Sequence, residues 1–181
     1  MGLGVYGLGM LGLGTVHGLS PPWVPAMMLV VGGIVGWGET RAFLRGLKWK
    51  RMNAKTGRSE WLILLAVVPV GMLLIAMTMP PGSVWATEGE GYDVAEYHLE
   101  LPREYAAANS TAPVAHNVYS YLPANVEMLY LMLTQTGKWV MQDKDPDGYL
   151  WGVYPSQFLH AVMMLLAAVG VGLAPIRMGT G

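Results

Sequence analysis

The chain has 181 residues, of which 53% are hydrophobic and only 13% charged, with a formal net charge of −1. That is not the composition of a soluble globular domain, and several runs reach the length needed to cross a bilayer. There is no cysteine, so disulfides and thiolate metal sites are excluded.

The charges are unevenly placed. Arg41, Arg45, Lys48, Lys50, Arg51, Lys55 and Arg58 all lie between Glu39 and Glu60, whereas ten of the twelve acids lie between Pro80 and Pro155, beside only Arg103, Lys138 and Lys144. Short loops rich in Lys and Arg stay on the cytoplasmic side, so the split sets an orientation.

In chain order, residues 1–18 are apolar and carry Gly2, Gly4, Gly7, Gly9, Gly12, Gly14 and Gly18. They read as a first span whose glycines admit close helix packing. A signal peptide fits less well, because there is neither a basic leader nor a small-x-small cleavage site. Ser20-Pro21-Pro22 is a turn, and residues 23–38 form a second span with Trp23 and Trp37 at its interfaces. The basic loop 39–60 follows; topology explains its charge, and nucleic acid is not expected as a partner. Residues 61–79 are the clearest span, uncharged after Trp61 and interrupted by Pro69, which is predicted to kink it. The first unit, 1–79, thus holds three spans, the second, 80–155, is an external loop, and the third, 156–181, is a fourth span with a cytoplasmic tail bearing Arg177. The expected fold class is an all-α polytopic membrane protein with about four transmembrane helices.

The external loop is too long to be a mere connector. Residues 92–101 are predicted as a short helix with Asp93, Glu96 or Tyr97, and Glu100 along one face. Pro102 suits the first position of a second helix over 102–108, and residues 109–113 form a turn. Pro123 opens a third helix over 124–136, closed by Gly137, with Val126, Leu129, Tyr130 and Leu133 as its apolar stripe. Residues 142–148 (QDKDPDG) read as a solvated turn, because the spacing and terminal glutamate of a calcium loop are missing. Asn109-Ser110-Thr111 fits an N-glycosylation acceptor on the external side.

Asp93 carries the candidate chemistry. It stands near the start of its predicted helix, where the helix dipole favours an ionised carboxylate, and it follows closely on a membrane exit. A carboxylate held there can orient an incoming hydroxyl or take its proton; a plain helix-capping acid is the competing reading.

A set of fixed residues extends this picture: Tyr92-Asp93, Tyr97-His98-Leu99, Pro102, Tyr105, His116-Asn117, Pro123, Glu127-Met128-Leu129-Tyr130 and Phe158-Leu159-His160. In order and spacing, over about residues 92–166, this pattern resembles the polytopic GT-C glycosyltransferases, and most of all the bacterial dolichyl-phosphate-mannose mannosyltransferase-like proteins. The resemblance implies that Asp93 is the catalytic acidic residue. It implies a donor sugar carried on a polyprenyl phosphate, with an acceptor hydroxyl displacing the lipid phosphate under inversion. Arg103, His98 and His116 are then the candidates for the departing phosphate, and Asn117 and His160 are further substrate-binding candidates. Glu96 and Glu127 are expected to be helix-face and capping groups. No cofactor is implied beyond the lipid-phosphate sugar, and a divalent metal is compatible with the chemistry but not indicated. The expected partners are the lipid bilayer, the polyprenyl-phosphate sugar and, because four spans are fewer than such enzymes carry, further transmembrane helices of a longer parent. The expected location is a bacterial inner membrane. The alternative is a non-enzymatic membrane subunit whose external loop binds a partner or lipid.

Overall fold

The computed structural model describes residues 2–46, 59–80, 94–122, 124–142, 144 and 149–177, and every regular element among them is helical. The order is α1 (Gly2–Thr15), α2 (Trp23–Gly46), α3 (Ser59–Ala76), a π-helical stretch (Val94–Leu99) leading directly into α4 (Glu100–Ala108), a 3₁₀ turn (Val118–Tyr121), α5 (Asn125–Met141) and α6 (Tyr149–Arg177). The all-α expectation holds, and each predicted span falls on a helix. Among the described residues, one stretch, Leu150–Val171, is long and apolar enough to cross a membrane, while Leu3–Thr15 and Val67–Ala76 are shorter apolar stretches.

α5 is the centre of the molecule, packing against α6, α1, α4 and α2. Its sequence explains why. Met128, Leu129, Leu131 and Met132 are all buried, so the apolar surface wraps most of the helix rather than forming one narrow stripe. They join Met10 of α1, Leu19, and Leu101, Tyr105 and Ala106 of α4 in one core.

Three local expectations are revised. The 94–108 region is one continuous helical run, not two helices parted at Pro102. Pro102 has no N–H to give the His98 carbonyl, and its ring crowds that carbonyl. The wider π turn ending at Leu99 absorbs the conflict just before it. Gly137 does not close α5, which runs on to Met141. A Cβ on Gly137 would stand 2.4 Å from Trp151 Cβ, and one on Gly152 would stand 2.3 Å from Thr134 Oγ1. These glycines are therefore notches through which α5 and α6 approach each other. Finally, α6 begins at Tyr149 rather than at residue 156 and continues through Pro155, because Gly152, Val153 and Ser156 are already buried in the contact with α5.

The ends of α1 and α4 are tied together. α1 closes with Gly18 N donating to Leu13 O at 2.7 Å and His17 N to Gly14 O at 3.3 Å, the two bonds of a Schellman ending. His17 takes the left-handed position usual for glycine, with φ 56°. α4 ends in the same way at Asn109, φ 51°. Asn109 Oδ1 accepts from Ser20 N at 2.7 Å, and Thr111 Oγ1 donates to Leu11 O at 3.3 Å. The Asn-Ser-Thr triplet thus serves as a cap on the exposed carbonyls of α1, with the Asn109 amide engaged through both its oxygen and its nitrogen.

Candidate functional site

The polar residues of the loop region gather where the π stretch, α4, α5 and α6 meet. His98, next to last in the π stretch, places Nδ1 2.5 Å from Oε1 of Glu127 on α5. Glu127 is only 7% exposed, so its carboxylate sits among apolar neighbours with His98 as its hydrogen-bond partner. One turn further along α5, the Tyr130 hydroxyl lies 3.0 Å from His160 Nδ1 on α6. Burial, and secondarily the Glu127 charge, push the Tyr130 phenol up to about 12. A buried phenol kept protonated must place its hydrogen, and His160 Nδ1 is the available acceptor. In the tautomer whose Nδ1 is bare, Tyr130 donates to it.

Arg103 and Tyr130 share a shallow cleft, which Leu99, Pro102, Thr134, Gly152 and Val153 complete. The Arg103 guanidinium reaches Glu100 Oε1 at 2.8 Å, one turn back on α4, and stays nearly half exposed. This i, i+3 pair lies on a wet surface, where such pairs are weak. Tyr97 stacks on Tyr119, with ring centroids 4.2 Å apart, and also lies against the His98 ring at 4.0 Å.

His116 and Asn117 fall apart from this group. His116 Nε2 lies 2.7 Å from Glu104 Oε1 with its side chain 72% exposed. Asn117 Oδ1 accepts from Tyr119 N at 3.1 Å and caps the 3₁₀ turn, which identifies it as turn chemistry. Tyr105, fully buried between α4 and the core, links the two acidic sites electrostatically. Burial raises its phenol pKa first, and the charges of Glu104 and Glu127 add to the rise.

Asp93 lies outside the described residues, as does the side chain of Glu96; Val94, where the π stretch begins, is the residue after Asp93. Most of the 142–148 turn also lies outside them. No group of three or more metal-ligating side chains occurs among the described residues. Sequence reasoning brought forward His98, Arg103 and His160, and missed Glu127 as the partner of His98 and Tyr130 as the partner of His160. One signal was there to read: Glu127 is the single charge inside the apolar run VEMLYLML, and an acid buried on a core helix requires a partner.

The fold and site define an all-α protein with an ionisable cluster set beside an apolar helix of membrane-crossing length. The chain matches no protein family, no curated protein and no solved structure.

Proposed function

We propose that this chain is, or belongs to, a polytopic membrane glycosyltransferase of GT-C type, moving a sugar from a polyprenyl phosphate to an acceptor hydroxyl with inversion. The observation that carries the reading is the joining of His98 to buried Glu127 at 2.5 Å, in the π stretch that starts one residue after Asp93. Arg103, five residues beyond His98 along the same helical run, has a side chain 47% exposed. In this reading Asp93 orients the acceptor hydroxyl and takes its proton. The acceptor oxygen bonds to the anomeric carbon, the bond from that carbon to the phosphate oxygen breaks, and the electron pair leaves with the lipid phosphate. Arg103 neutralises the departing phosphate, a task for which its planar fork is suited.

The membrane half of the proposal draws on exposed apolar surface. Val30, Val31, Ile34 and Val35 on α2, Val67, Val68, Met72 and Ile75 on α3, and Val162, Leu166, Val169 and Val171 on α6 all face outward. Apolar area on this scale is unusual in water and ordinary in lipid.

The test is sugar transfer from polyprenyl-phosphate donors in membranes that carry the full-length protein. Asp93→Asn keeps the shape and loses the base, so transfer is expected to fall by roughly 10²–10⁴-fold, with Glu96→Gln as the mild control. Near-normal transfer by Asp93→Asn at matched expression ends the assignment.

A further inference from the structure

The Glu127–His98 pair has a directional consequence. A carboxylate only accepts, so the proton between Glu127 Oε1 and His98 Nδ1 sits on Nδ1, and in the Nδ1–H tautomer the lone pair lies on Nε2. Among the described residues Nε2 has no bonded partner, and the ring is 37% exposed. Two contacts fix the ring plane: Glu127 at its edge, and Tyr97 at 4.0 Å, itself stacked on Tyr119.

A phosphate oxygen needs a donor, and this nitrogen is an acceptor; its natural counterpart is a hydroxyl. The ring is flanked by the stacked pair Tyr97 and Tyr119, and aromatic side chains are common neighbours of sugar rings. We propose that Glu127 is the positioning residue of His98, and that His98 Nε2 accepts a hydrogen bond from a hydroxyl of the donor sugar. The inference rests on the glycosyl-transfer reading above and moves His98 from the phosphate to the sugar, leaving Arg103 to the phosphate.

The experiment is ¹⁵N NMR of histidine-labelled chain in lipid nanodiscs, with the His98 signals assigned by their loss in His98→Gln. Wild-type His98 is expected to show a protonated Nδ1 and an unprotonated Nε2. Glu127→Leu, which retains apolar packing on α5, removes the acceptor and should give mixed tautomers. Glu127→Gln, whose amide oxygen still accepts, should restore the wild-type pattern. Undecaprenyl phosphates bearing mannose, glucose, galactose or arabinose are then titrated in, and at least one is expected to shift the Nε2 signal. Its affinity should fall roughly tenfold in Glu127→Leu, the worth of one hydrogen bond, and little in Glu127→Gln. A wild-type His98 protonated on Nε2, silence with every sugar, or unchanged affinity in Glu127→Leu overturns the inference. A responsive His98 in a protein that transfers no sugar keeps the binding inference and ends only the catalytic reading.

Discussion

Asn109 and His17 hold the ends of α4 and α1 together by a reciprocal exchange: Asn109 Nδ2 donates to the His17 carbonyl at 2.6 Å, and His17 Nδ1 donates to the Asn109 carbonyl at 3.1 Å. Both residues sit at positive φ, where asparagine and histidine are tolerated better than most side chains. The exchange joins parts of the chain 92 residues apart and seats α4, with Arg103, against the core.

Removing this link should destabilise the whole bundle. Asn109→Ala loses the side-chain bonds and places an ordinary residue at φ 51°, for a combined cost of about 2–3 kcal/mol. Asn109→Gly relieves the backbone and not the bonds, so it should fall between alanine and wild type. Thermal unfolding in detergent, followed by circular dichroism, measures the order. An unchanged midpoint for Asn109→Ala would show that the exchange contributes nothing.

The helix notches predict opposite outcomes for the same substitution. Gly137→Ala and Gly152→Ala drive a methyl group into Trp151 and Thr134, an overpacking cost of about 1–3 kcal/mol. Gly33→Ala on α2 meets nothing within 4 Å and gains helix propensity, so it should be neutral or stabilising by up to about 1 kcal/mol. The same unfolding measurement compares all three, and equal effects would contradict the close approach of α5 and α6.

Tyr130 gives a pH signature. Its folded pKa, raised to about 12, exceeds the unfolded value near 10, so the folded state holds this proton more tightly. The stability involved is fully present below about pH 10 and lost as pH climbs toward 12, with a total on the order of 3 kcal/mol. Wild type and Tyr130→Phe should therefore diverge in the slope of stability against pH above 10, with the wild type falling faster. Parallel slopes would place Tyr130 in water.

Orientation is testable in a chain without cysteine. Val118→Cys, at a site 71% exposed, should react with an impermeant maleimide in intact cells. Thr56→Cys, within the basic segment, should react only after permeabilisation. The reverse pattern inverts the proposed topology.

Local rules reached far into this fold. Helices at each predicted span, the turn at 109–113 and the helical character of 94–108 and 124–136 follow from apolar runs, proline and asparagine, and these signals act within one or two turns of chain. The same rules erred where a residue served a distant neighbour. Gly137 has the look of a helix stop, and it lies inside a helix because Trp151 needs the space. The Asn109 triplet fits a modification site by pattern, and its capping of α1 is not legible in that pattern. Glu127 has the look of a capping acid, and it is buried against His98.

The sequence by itself determined that this is an all-helical chain of membrane-like composition, with its acids and its basic loop in separate segments, because composition and periodicity act locally and need no partner. Only the tertiary structure decided which polar groups meet. His98 and Glu127 are 29 residues apart and Tyr130 and His160 are 30 apart. Their pairing depends on how α5 lies against the π stretch and α6, an arrangement set by the packing of Met128, Leu131, Gly137 and Gly152, and no single segment encodes it.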